Sequence, residues 1–123
     1  MNPFTRFLRS QRRNTPAELA VFIERWDRLE SLVINVYRRG GVDAETEAVY
    51  ADLRAWLAEH YRDWAAGLEP FWRASREGGA APVSDPFRRL LAPASAAWFI
   101  DNRPAMQALP AAREALNRYL LSL

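Results

Sequence analysis

His60 is the single histidine of the chain, and it stands between Trp56 and Trp64 at helical spacing. An imidazole in that setting can carry a proton, serve as a ligand, or pack as a ring with one nitrogen satisfied. Upstream, Glu30 interrupts an apolar series made by Trp26, Val33, Ile34 and Tyr37. A carboxylate there must be paired, protonated or held at a solvated seam, because burying it unpaired is costly. It reads either as the partner of an arginine from a neighbouring helix or as a ligand or catalytic acid. His60, Glu30, Trp56 and Trp64 are therefore the ligand-binding candidates, for a flat ligand or a tetrapyrrole with His60 as its axial group.

Other chemistry lacks its residues. A di-iron bundle needs Glu-x-x-His, and position 57 is leucine. Zinc needs several His or Cys ligands, whereas the chain has one histidine and no cysteine. The serines at 75, 84 and 95 sit in no nucleophile motif. The Gly78-Gly79 segment has the wrong glycine spacing for a phosphate loop, and the chain has no lysine to complete one. The sequence predicts no catalytic or metal residue and no resident cofactor. A glycosidase-like carboxylate pair has no positive support.

A second group of residues suits partner binding. Arg6, Arg9, Arg12 and Arg13 share residues 1–14 with Phe4, Phe7 and Leu8, a basic amphipathic arm. Its readings are an arm folded back over an exposed end of the domain, a segment docked on a partner protein, or one lying on a nucleic acid backbone or an anionic membrane surface. Trp72, Trp98 and Phe99 lie on short segments beside loops, and aromatic residues with arginine are enriched in binding hot spots.

The elements that must position these groups are helical. Thr15-Pro16-Ala17-Glu18 is a cap, a first-turn proline and a capping-box glutamate, and Gly40-Gly41 is a stop. Between them Leu19, Phe22, Ile23, Trp26, Leu29, Val33, Val36 and Tyr37 mark one face at three-and-four spacing. Val21 and Leu32 fall on the opposite, polar side, so this helix is expected to be touched from two directions. Asp43 caps a second long helix, residues 43–66, whose stripe reads Val49, Leu53, Trp56, Leu57, His60 and Trp64 with Tyr50 and Tyr61 on its flank. The short link makes the two antiparallel neighbours. In that register Glu30 faces the level of Arg54, its expected partner, and a direct Glu30–His60 pair is not expected.

Downstream, Gly67 is expected to end the second helix. Pro70 then opens a short helix that stops at Gly78-Gly79, and residues 78–84 form a surface loop. Asp85-Pro86, Ser95 and Arg103-Pro104 mark further helix starts, with Pro110 dividing the last helical region. No strand-like alternation and no internal repeat is present.

The chain has 123 residues, half of them apolar, which predicts one ordered domain over residues 15–123 after the arm. No apolar run is long enough for a membrane helix, and a cytoplasmic setting is expected. All 17 basic residues are arginine; with the abundant alanine this is the mark of a GC-rich, bacterial genome. The net charge of +2 hides a split: the arm carries four arginines and no acid, whereas residues 14–84 carry 8 arginines against 12 acids. These observations predict an all-α helical bundle with two long antiparallel helices and a C-terminal helix. Its function is read as a non-enzymatic protein–protein interaction or structural module, self-associating as a homodimer. The alternatives are a small-molecule-binding protein or minor enzyme using His60 and Glu30, and a nucleic-acid accessory protein using the arm.

Overall fold

Thr15 and Gly40 delimit the central helix of the computed structural model as the sequence requires. The structure describes residues 15–74 and 85–123. The basic arm with Arg6, Arg9, Arg12 and Arg13, and the loop at 78–84, lie outside the described residues. Helix α1 spans Pro16–Arg39. The Thr15 hydroxyl accepts from the Glu18 amide at 3.3 Å, and Gly40 closes the other end at φ 69°, donating to the Val36 and Tyr37 carbonyls. The return bond of a full capping box is not made among the described residues.

Helix α2, Ala44–Tyr61, is capped by Asp43, which accepts from the Thr46 amide at 2.7 Å. It runs back along α1: Phe22 meets Trp56 and Tyr61, while Leu32 and Val36 share a groove with Val49. The pair is antiparallel, as expected. Helix α3 is Ala65–Ala74, α4 is Pro86–Leu90, a 3-10 turn η1 follows at Ala96–Asp101, and α5 is Arg103–Ser122. Helix α1 packs against α2, α5 and η1, and α5 in turn holds α3 and α4. The described residues form an all-α fold.

One core runs through these helices, centred on Leu19, Phe22, Trp26, Leu29 and Val33 of α1. Tyr50, Leu57, Phe87, Phe99, Leu109 and Leu116 complete it from the other elements. The Trp26 indole donates to the Leu109 carbonyl at 3.2 Å, which satisfies its one polar atom inside the core.

Three boundaries differ from the sequence reading. Helix α2 ends at Tyr61, not near Gly67, and the turn falls at 62–64 where no breaker stands. Trp64, Leu68 and Trp72 set it, because α3 must leave the α2 axis to bury them against α5. Gly67 serves close approach instead: a Cβ there would collide with the Tyr119 hydroxyl. Pro70 lies inside α3, where it offers no amide to the Ala66 carbonyl, and Ala66 is an exposed residue. Pro110 likewise lies inside a continuous α5. An interior proline costs about 3 kcal/mol. Burying Leu109 and Leu116 on either side contributes about 1.5–3 kcal/mol each, so the helix continues.

The apolar stripe of α2 is also rotated from the one expected. Its buried residues are Tyr50, Leu53, Leu57 and Tyr61, while Val49 is 47% exposed and Trp56 and His60 are half-buried. Both flanks of this helix carry rings and aliphatics, so periodicity could not choose between them. The inner flank docks the segment 85–96. Tyr61 donates to an Asp85 carboxylate oxygen at 2.5 Å, Tyr50 donates to the Pro93 carbonyl at 2.7 Å, and Arg54 donates to the Leu91 carbonyl at 2.7 Å. Glu47 accepts from the Ser95 hydroxyl and from the Ala96 amide at 2.6 Å, capping η1 across the interface.

Candidate functional site

Glu30 lies on the side of α1 that faces α5. It is 6% exposed, and its Oε2 sits 3.0 Å from Arg113 Nε. The partner is thus Arg113 and not Arg54, which is spent on the carbonyls of Leu91 and Ala92. The hairpin register places Glu30 at the level of Arg54, but its side chain points to the other neighbour. The contact is close yet poorly aligned: neither Glu30 Oε2 nor Arg113 Nε has a hydrogen bond of good geometry. Burial pushes the Glu30 carboxyl above its ordinary pKa. Arg113 opposes that shift, and nearby Asp27 adds to it. Asp27 also approaches Arg113, at 3.9 Å. Glu30 lines neither the cleft around His60 nor the groove around Val49. Its chemistry is that of a closed ion pair.

His60 lies at the opposite, open side of the hairpin. Its ring stacks on Trp56, with centroids 3.9 Å apart and planes 18° apart. Its Nδ1 is 2.8 Å from the Trp56 carbonyl. A carbonyl only accepts, so Nδ1 carries the proton and the neutral ring keeps Nε2 as an acceptor. From α1, the Arg25 guanidinium lies 4.4 Å from the centroid of the same indole. Trp56 is therefore gripped from both helices, and Phe22 supports it from within at 6.1 Å.

Around this cluster opens a cleft of about 630 Å³, lined by Glu18, Val21, Trp56, Glu59, His60 and Asp63 together with Arg62 and Trp64. Its charged lining is three carboxylates and one guanidinium. Glu18 and Glu59 are exposed and make no ion pair among the described residues. Val21 is 44% exposed in the same wall. Such a surface can hold an apolar side chain and a cation together, the cation against the carboxylates and the apolar side chain against Val21 and the indole edge. A smaller groove of about 360 Å³ lies at the other end of the seam, where Leu32, Val36, Val42 and Val49 meet beside Asp43 and Glu45.

The remaining sequence candidates are distributed unevenly. Trp64 is 2% exposed and packs edge-on against Tyr119, so it supports the cleft more than it faces it. Trp72 at 8% and Phe99 at 0% belong to the core, which corrects their reading as partner-binding residues: both short helices turn these rings inward against α5 and α1. Trp98 is 41% exposed, held edge-on by Phe99. Arg6, Arg9, Arg12 and Arg13 lie outside the described residues. No three His, Asp or Glu side chains among the described residues gather closely enough to hold a metal ion. No helix among them is long and apolar enough to cross a membrane.

Sequence reasoning missed Glu18, Glu59 and Asp63 as lining residues. The available signal was Val21 and Leu32 on the nominally polar side of α1, which marked a second packed face. Compared with known proteins, the chain matches no family model, no curated protein and no solved structure.

Proposed function

We propose that the protein is a non-enzymatic interaction module whose binding surface is the cleft between α1 and α2, and that its ligand is a polypeptide segment carrying both arginine or lysine and an apolar side chain. The observation that carries this reading is the composition of the cleft. Exposed Val21 and the Trp56–His60 stack share one wall with Glu18, Glu59 and Asp63. Glu18 and Glu59, exposed and without an ion pair among the described residues, favour a cation, and the exposed apolar surface between them favours a segment that buries it. A flat ligand is less suited to this wall, because the Trp56 ring is already covered by His60 and Arg25. An acid–base pair is unsupported as well, since Glu30 is engaged with Arg113 on another face.

Titration with short peptides tests the proposal. Amide signals of Val21, Glu59 and His60 should shift on adding an amphipathic arginine peptide and stay still with its glutamate counterpart. Glu18→Arg with Glu59→Arg should abolish the response. Equal shifts with both peptides, or none with either, would end this reading. Self-association is the second reading, favoured by exposed Val21 and Val49 along one seam. A molar mass that doubles with concentration and reverts in Val21→Glu would support it.

A further inference from the structure

The cleft lies beside the first two turns of α1, which supply Glu18 and Val21. The chain that leads into those turns is the most basic stretch of the protein. Residues 1–13 carry Arg6, Arg9, Arg12 and Arg13 with no acid, together with Phe4, Phe7 and Leu8. These residues lie outside the described ones. Thr15 is extended, at φ −80° and ψ 151°, and Pro16 follows it. Helix α1 therefore begins at Pro16, and Thr15 before it is not helical. Asn14 is tethered four positions before Glu18.

We infer that residues 2–13 occupy the cleft of their own chain, with their arginines against Glu18, Glu59 and Asp63 and their aromatic and leucine side chains against Val21 and the Trp56 edge. The inference deepens the reading of the cleft as a peptide-binding surface and rests on it. The arm is then a built-in competitor that an external segment must displace. Charge favours it: the arm carries four cations, and Glu18 and Glu59 in the cleft wall make no ion pair among the described residues. Reach permits it, since twelve residues span about 18 Å even as a helix and the cleft begins within two turns of the tether. Tethering favours the same chain over a second copy. A short linker supplies an effective concentration in the millimolar range, so a weak contact suffices.

The absence of cysteine makes the test clean. Ser10→Cys gives a unique site for a nitroxide label on the full chain, and the label broadens nearby amide signals. Val21, Glu59 and His60 should lose intensity on labelling, whereas Trp98 and Ala112 should not. The loss should be independent of protein concentration and should disappear in Glu18→Arg with Glu59→Arg. Mixing unlabelled isotope-enriched protein with labelled, isotope-free protein should give no broadening. Broadening only in the mixture would overturn the inference in favour of exchange between copies. If the cleft signals stay sharp on labelling but shift when a free peptide of residues 2–13 is added to the chain with its four arm arginines changed to Gln, the cleft reading stands and this occupant fails. If neither label nor peptide affects them, both fall.

Discussion

The two sides of the α1–α2 hairpin use similar residues to opposite ends. On the closed side, Glu47, Tyr50, Arg54 and Tyr61 each meet a partner in the segment 85–96, and Glu30 meets Arg113 of α5. On the open side, Trp56, His60 and Glu59 of the same helix face a cleft with Glu18 and Val21. Tyrosine, arginine and glutamate serve the fold where later chain covers them. Where it does not, the same kinds of groups remain available to a ligand. Polar identity alone therefore says little about role, and coverage decides it.

The sharpest test sets neighbours against each other. Tyr61→Ala removes a ring stacked on Phe87 and on the Phe22 cluster, and should cost about 3 kcal/mol of unfolding free energy. His60→Ala, one position earlier, should cost within about 1 kcal/mol. Urea denaturation followed by circular dichroism reads both, and equal losses would erase the distinction between the two sides.

The ion pair on the closed side comes next. Arg113→Met leaves Glu30 buried with no cation and should cost about 2 kcal/mol at pH 7, less than for a fully buried pair because Arg113 is 36% exposed. The sign of its pH dependence follows from the Glu30 shift. The folded-state pKa is raised and rises further without Arg113, so the folded protein holds the proton more tightly than the unfolded chain. The penalty is full above the folded value and fades as pH falls towards the unfolded carboxyl value of about 4. Stability of the variant should therefore approach that of the parent in acid. A deficit that stays constant from pH 7 to pH 4 would show that Glu30 is not the group left stranded.

A smaller effect belongs to the docked segment. Tyr50→Phe loses the bond to the Pro93 carbonyl and should cost about 1 kcal/mol. Burial pushes the Tyr50 phenol from 10.0 to about 12. Its contribution is complete below 10.0 and is lost as pH climbs to about 12, so the variant should show a shallower alkaline decline over that interval. Smallest of all, Glu18→Gln with Glu59→Gln should leave stability within about 0.5 kcal/mol while weakening peptide binding, since exposed acids without ion pairs contribute little to folding. A large loss of stability there would place the cleft on the structural side of the comparison.

The sequence foretold the helix starts best, because caps and first-turn prolines act locally. Thr15-Pro16, Asp43, Asp85-Pro86 and Ser95 all begin helices where they stand, and Gly40 ends one. It foretold ends and faces less well. Pro70 and Pro110 signal breaks, yet both stay inside helices, since the surrounding apolar burial outweighs one missing backbone bond. The α2 face was ambiguous for a related reason: Tyr50 and Tyr61 on one flank and Trp56 and His60 on the other offer similar apolar area.

Of the candidate site, Trp56 and His60 were legible from type and spacing, as was the oddity of Glu30. The residues that make a cleft around His60 were not, because Glu18, Glu59 and Asp63 are ordinary surface acids until two helices bring them together. By itself, then, the sequence determined the helical class, most helix starts and the antiparallel hairpin, all set by interactions a few residues long. Only the tertiary structure decided that Glu30 meets Arg113 instead of Arg54, that Trp72 and Phe99 turn inward, and that the other described helices leave the outer side of the hairpin uncovered. Those outcomes depend on which neighbour covers a given face, and that competition is settled by contacts distant in the chain.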